Sequence, residues 1–414
     1  MKKDETVFGG RKNRRSFLKN GMVAAGAMTA GVGLVSGPAV FADSEDRFPI
    51  TRGDIAILTF LSALEQVEAD LWIQYAELGG PTPAVPTSIG LSPIDLKQDG
   101  KKIVTGLAPA YITGLQVLDT DMPQYIADNT DDEISHHRFL NNYLASKGAK
   151  TIDLKKEGFA IIPPSGVSGV PKNLRLTNLQ QLTVDTTWWT RYRSANRNPD
   201  LGGKFQNAVP DLAKGQHPAI PQSDADLQLD ANGNISTHLQ AIANTAGFHF
   251  GFIEQGGSSL YPTLAQKVTN LEVLRILLSI GPSETMHFQV WHDKAGNAQI
   301  LTDGNLSFPD LNSGLNPNDL DNDEPADSTP SGQVANNFQT NLIMPEPTIF
   351  IDSRLGPISI IRPTTEAGGG GAVAAVVSFV EDGLFIDPKS GGNSPIVARL
   401  MGLAEEADDA RRGF

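Results

Sequence analysis

The chain has 414 residues, 40% hydrophobic and 19% charged, the composition of a folded protein rather than a disordered one. It lacks cysteine, which excludes disulfides, zinc–thiolate sites, iron–sulfur clusters and cysteine nucleophiles, so any metal must be held by His, Asp or Glu. The formal net charge of −14 argues against a nucleic-acid partner, because an acidic surface repels phosphate.

The segment Arg14-Arg15-Ser16-Phe17-Leu18-Lys19 resembles a twin-arginine export signal. A Gly-, Ala- and Val-rich run follows from Gly21 to about Val40 and ends at Val40-Phe41-Ala42, a suitable cleavage site. Its moderate hydrophobicity favours a cleaved signal over a membrane span. Residues 1–42 are therefore read as an address, and the resemblance implies export to the periplasm or cell surface. Their removal takes away seven basic and two acidic residues and leaves the remainder near −19. No later run reaches 18 consecutive apolar residues, so no transmembrane segment is expected in the mature chain.

Residues 52–78 read as a helix, with Leu61, Leu64, Leu71 and Tyr75 at three-four spacing and Gly79-Gly80-Pro81 as the stop. A Pro-rich loop runs to about Leu96. A second helical region covers 104–147, with Pro123 able to kink or split it. A long connection, 151–235, contains an expected helix from Thr177 to Ser194. It ends in a short hairpin, Asp224–Thr237, around an Asn232-Gly233 turn. A third long helix is expected over 236–255, or on to Leu260, with Pro262 in the loop after it. A fourth spans 268–294, with Leu271, Leu274, Leu277 and Leu278 on its early turns. Residues 297–414 read as a loop-rich extension. It has strand-like runs at Thr348–Ile351 and Ile358–Ile361, a Gly368–Gly371 break, and helices over 372–383 and 395–412.

Four acids sit in stripes that should be greasy. Glu68 falls among Leu61, Leu64, Leu71 and Tyr75, and Glu133 among Ile126, Leu140 and Leu144. Glu254 falls among Ala243, Phe250 and Tyr261, and Glu284 among Leu274, Leu277 and Trp291. A buried, unpartnered carboxylate costs several kcal/mol, and these stripes offer no Lys or Arg. Bound cations are the physical remedy. Two of the acids open the same motif, Glu133-x-x-His136 and Glu284-x-x-His287, which puts carboxylate and imidazole on one helix face. The other two are each followed seven residues later by tyrosine: Glu68 by Tyr75, Glu254 by Tyr261. The chain thus repeats Glu…Tyr, Glu-x-x-His twice.

This pattern resembles the ferritin-like di-iron and di-manganese carboxylate superfamily, which includes rubrerythrins, bacterioferritins and manganese catalases. The layout, with Asp185-Thr186-Thr187-Trp188-Trp189 in the long connection, is similar to the branch that includes desiccation-related proteins. The resemblance covers about 52–295. It implies an all-α, ferritin-like four-helix bundle over 43–296 with a long crossover insertion, followed by the mixed extension 297–414. It implies two metal ions, iron or manganese, held by Glu68, Glu133, His136, Glu254, Glu284 and His287. Glu133 and Glu284 would bridge, and Tyr75 and Tyr261 would hydrogen-bond the ligands.

Glu65 is an alternative to Glu68, and His249 is either an extra ligand or a hydrogen-bonded core histidine. His137 points about 100° away from His136 and is expected at the surface or as an outer partner. His292 and Asp293 are expected to face solvent, and His217 and His238 lie outside the pattern. The expected chemistry is redox action on O₂, peroxide or Fe(II), catalase-, peroxidase- or ferroxidase-like. The alternative is a non-catalytic stress or envelope protein with a structural or vestigial metal. The oligomeric state is not legible.

Overall fold

The computed structural model describes residues 49–82, 96–191, 205–311 and 371–413. The residues read as an export signal, the strand-like runs at 348–351 and 358–361, and most of the Gly368–Gly371 break lie outside the described residues.

The chain is predominantly helical. In order, α1 spans Arg52–Gly79, α2 Pro109–Leu118, α3 Met122–Ser146, α4 Thr187–Arg191, α5 Thr237–Ala265 and α6 Leu271–Ala295. Two further helices, α7 (Ala372–Glu381) and α8 (Ile396–Asp408), lie in the extension. Strand is confined to two antiparallel hairpins, β1 (Lys97–Gln98) with β2 (Lys101–Lys102), and β3 (Leu301–Asp303) with β4 (Leu306–Phe308), among the described residues. No described helix is long and apolar enough to cross a membrane.

Helix α1 starts on a capping box in which the Thr51 hydroxyl accepts from Asp54 N–H and the Asp54 carboxylate accepts from Thr51 N–H. The other Asp54 oxygen accepts from Thr269 N–H at 2.8 Å, tying this start to the turn before α6. Helix α1 packs on α3 and α8, and 22 of its 28 residues are buried, on every face. Apolar spacing alone therefore cannot say which of its acids points where.

The expected 104–147 region divides at Asp119–Asp121 into α2 and α3. Pro123 sits in the first turn of α3, where its missing N–H is not needed. Helix α5 runs on through Pro262 to Ala265, beyond the expected end at 255–260. Proline removes one helical hydrogen bond. Burial of 24 of the 29 residues outweighs that loss. In α6, Leu277 is buried and Leu274 partly so, while Leu271 and Leu278 are exposed.

The helix expected from Thr177 to Ser194 forms only as α4, among the described residues. Its interior donors go elsewhere: Thr183 N–H bonds Asp382 O at 2.9 Å and Val184 N–H bonds Leu212 O at 2.8 Å, while the start of the segment is anchored on Asp70. Leu176 N–H, Thr177 N–H and the Thr177 hydroxyl all bond Asp70 Oδ2, at 2.8, 3.1 and 2.9 Å. Leu182 pairs with His217 across the connection. Trp188 and Trp189 are buried, and Trp188 packs on Phe248 and Phe288. The Asn232-Gly233 turn is present, with Gly233 at φ +82°, but only Leu229 and Ile235 pair beside it.

Asp70 also receives Lys155 Nζ at 2.9 Å. Asp70→Ala would leave buried donors of the connection without partners. We expect a loss of roughly 2–5 kcal/mol in denaturant unfolding, at about 1–3 kcal/mol per unpaired buried donor. A loss below about 1 kcal/mol would show that the connection is not anchored there.

Both expected C-terminal helices form. Asp408 at the end of α8 accepts Lys267 Nζ at 2.9 Å and the N–H groups of Ala372 and Val373 at the start of α7. The end of the chain thus covers the outer side of α1 rather than trailing away.

Candidate metal centre

Each of the four long helices sends acid into one interior. Glu65 comes from α1, Glu133 and His136 from α3, Glu254 from α5, and Glu284 and His287 from α6. They form two overlapping groups. In one, Glu65, Glu133, His136 and Glu284 each offer a ligand atom, all within 4.8 Å of one another. In the other, Glu133, Glu254, Glu284 and His287 do the same. Glu133 and Glu284 belong to both.

Each histidine faces inward through Nδ1. His136 Nδ1 lies 3.3 Å from Glu65, 3.1 Å from Glu133 and 3.2 Å from Glu284. His287 Nδ1 lies 3.3 Å from Glu133 and 3.2 Å from Glu254. The i, i+3 spacing of the Glu-x-x-His motifs does this directly.

Further hydrogen bonds orient the acids. The Tyr261 hydroxyl donates to Glu65 Oε1. Trp72 Nε1 donates to Glu254 Oε1 at 2.9 Å. The Asn129 amide donates to Glu133 at 2.8 Å and Glu254 at 2.9 Å, and accepts from Trp291 Nε1 at 2.7 Å.

Glu68, expected as a ligand, belongs to neither group. It is buried beside them, and Glu65, three residues earlier, takes its place. Tyr75, expected to bond a ligand, instead bonds His249 Nδ1 at 2.8 Å. His249 is also outside both groups, fully buried, with burial lowering its pKa to about 3. It is thus the hydrogen-bonded core histidine of the two alternatives. Tyr261 does bond one of the clustered acids, Glu65. His292 is buried against Trp188 and Phe288 rather than solvent-facing, while Asp293 is exposed. His137 is partly buried and its pKa is lowered by burial. His217 and His238 bond Asp211 and Asp303 away from the centre.

The missed residues were Trp72, Asn129, Asp132, Ser283 and Trp291. One signal was present: Trp72 follows Glu65 by seven residues, as Tyr261 follows Glu254. Each aromatic donates to the acid of the opposite helix.

The centre is short of positive charge. Among the described residues no Lys or Arg pairs with Glu65, Glu133, Glu254 or Glu284; Glu65 Oε2 and Glu284 Oε1 have only the close approach of His136 Nδ1, outside hydrogen-bond geometry, and Glu284 Oε2 accepts no hydrogen bond. Gly257 on α5 makes room for Glu284: a Cβ there would lie 2.8 Å from Glu284 Oε2. Buried oxygens short of donors, a cleared space and an all-oxygen-and-imidazole donor set fit a metal cation.

Without cations, protons must compensate. Burial, reinforced by Glu254, raises Glu133 to about 7. Burial and the neighbouring acids raise Glu284 and Glu68 well above the ordinary carboxyl value. Burial also pushes Glu65 up, but the adjacent His136 outweighs it and Glu65 is lowered. Burial alone would lower His136 and His287. Their carboxylate neighbours raise both instead, Glu65 and Glu133 foremost at His136, Glu254 and Asp132 at His287.

The sign for stability follows. Groups raised on folding stabilise fully below their unfolded pKa, and that contribution is lost as pH rises. For Glu133 the loss runs from the ordinary 4.5 through about 7. Glu284, Glu68 and both histidines act in the same sense. Glu65 acts oppositely, its contribution being lost only as pH falls below the carboxyl range. The metal-free protein should therefore lose melting temperature between about pH 5 and about pH 8, and Mn(II) should reverse the loss while releasing protons. A metal-free melting temperature that climbs across that window would contradict this protonation scheme.

Comparison with family models, curated proteins and solved structures returned no match for this chain. Its class therefore rests on its own residues: a mostly helical protein with a buried Glu/His cluster within metal-binding distance.

Proposed function

We propose that this chain is an exported, ferritin-like four-helix bundle that binds two metal ions, iron or manganese, and acts on O₂, peroxide or Fe(II). The observation that carries the reading is the pair of ligand groups sharing Glu133 and Glu284. Two acids common to two sites are what bridging requires, and each site gains one histidine and one further acid. The export part rests on the sequence of residues 1–42: the Arg14-Arg15 segment, the run from Gly21 to about Val40 and the Val40-Phe41-Ala42 end.

When bound, such a metal pair supplies two linked one-electron centres able to exchange electrons with O₂ or peroxide. The protein's own groups do the rest. Glu133 and Glu284 hold the two positions together. Trp72, Asn129 and Tyr261 fix the acids through their N–H and O–H groups. The apolar walls of α1 and α5 exclude bulk water, with every proposed ligand at most 9% exposed. Peroxide disproportionation needs no outside electron donor, which suits a chain without cysteine.

The same burial favours a second reading. A centre so enclosed also suits a structural metal in a non-catalytic stress or envelope protein. Metal-loaded protein assayed for H₂O₂ and Fe(II) consumption separates the two. Two ions with turnover support the enzyme, two ions without turnover support the scaffold, and no uptake defeats both. Arg14→Lys with Arg15→Lys should hold the precursor inside the cell.

A further inference from the structure

The two halves of the centre have different surroundings. In each Glu-x-x-His motif the residue just before the glutamate meets the histidine of the other half. On α3 that residue is Asp132, whose Oδ2 lies 3.0 Å from His287 Nε2. On α6 it is Ser283, whose hydroxyl lies 3.3 Å from His136 Nε2. The Ser283 hydroxyl donates to Ile280 O at 2.6 Å, so His136 Nε2 faces a neutral oxygen. His287 meets a carboxylate.

A second asymmetry falls on the same side. Asn129, four residues before Glu133, bonds both Glu133 and Glu254 and is held by Trp291, four residues after His287. The positions that correspond on the other half carry Ile280 and Leu140, which have no side-chain polar atoms. The His287 group is thus held by Asp132, Asn129, Trp72 and, through Asn129, Trp291. The His136 group is held by Tyr261, Ser283 and, through the shared Glu133, Asn129; of the carboxylate oxygens without hydrogen bonds only Glu65 Oε2 is its own, the two on Glu284 being common to both groups.

We propose that the two metal positions are inequivalent: the His287 position fills first and tightly, the His136 position fills second and exchanges, and Asp132 opposite Ser283 sets the difference. This rests on the two-metal reading above. A carboxylate on the far ring nitrogen fixes the tautomer and orientation of a ligating imidazole and strengthens it as a donor. Ligands already fixed by hydrogen bonds lose less freedom on binding. Both effects favour the His287 side. The exchangeable position gives the protein a place to take up and release a cation while the other stays filled.

The test is calorimetric titration of metal-free protein with Mn(II), joined to anomalous diffraction from crystals loaded with one equivalent. Two binding steps at least about tenfold apart are expected, with the first ion beside His287. Asp132→Ser, which gives both histidines a hydroxyl at the far ring nitrogen, should weaken the first step by about 10–100-fold and leave the second nearly unchanged. The Asp132 side chain is half-exposed, so this variant should fold, and its metal-free melting temperature checks that. Ser283→Asp should strengthen the second step. Equal steps in the parent protein, a first ion beside His136, or an Asp132→Ser protein that binds like the parent would overturn the inequivalence. Two equal ions would leave the two-metal reading standing. No uptake would end both.

Discussion

Glu284→Ala is expected to abolish binding of both metal ions, while Glu65→Ala should remove only one. Glu284 belongs to both ligand groups and Glu65 to one. Loss of an outer partner alone weakens metal binding by about 10–100-fold, so losing a shared ligand should exceed about 100-fold at each position. The conservative change adds a second, opposite sign. Glu284→Gln keeps volume but cannot ionise, and Glu284 in the metal-free state sits among Glu133, Glu65 and Glu254. At about pH 8 the metal-free Gln variant should melt at or above the metal-free parent. With Mn(II) at about 100 times its Kd the parent should gain roughly 2.7 kcal/mol per site, and the variant almost nothing. Melting curves with and without Mn(II) read both signs. A metal-free Gln variant that melts well below the parent would mean that Glu284 is a structural acid.

Gly257→Ala should cut metal affinity by at least about tenfold, even though alanine is the better helix former by about 1 kcal/mol. Its Cβ would stand 2.8 Å from Glu284 Oε2 and 3.2 Å from Glu284 Cγ, so the shared carboxylate must move. The neighbouring Gly256 is the control, because a Cβ there meets nothing within 4 Å. Gly256→Ala should bind metal normally and be slightly more stable. If both variants bind alike, Glu284 does not depend on the space at Gly257. Equilibrium titration with a competing chelator measures both.

The sequence carried the four long helices and five of the six residues that gather in the Glu/His cluster because each rests on short-range geometry. Glu-x-x-His needs only the i, i+3 face, and it put Glu133 with His136 and Glu284 with His287. Helix α5 offered a single stripe acid, Glu254, so its register was legible. Helix α1 offered two, Glu65 and Glu68, and it is buried on every face. A helix buried all round has no polar side to set the phase of the stripe. The seven-residue spacing was the right rule, but tyrosine was too narrow a donor: the indole N–H of Trp72 serves as the hydroxyl of Tyr261 does. Shifting the register from Glu68/Tyr75 to Glu65/Trp72 restores the repeat. The expected Thr177–Ser194 helix failed for a tertiary reason, since its interior donors Leu182, Thr183 and Val184 bond the distant carbonyls of His217, Asp382 and Leu212. His292 was placed in solvent because Trp188 reaches it only through the fold.

The measurement that bears most directly on the account is an anomalous difference map from crystals of the Mn(II)-loaded protein. Two peaks are predicted, one enclosed by Glu65, Glu133, His136 and Glu284, the other by Glu133, Glu254, Glu284 and His287. A map with no peak among these side chains, the acids instead sharing protons with one another and with the two histidines, would contradict it.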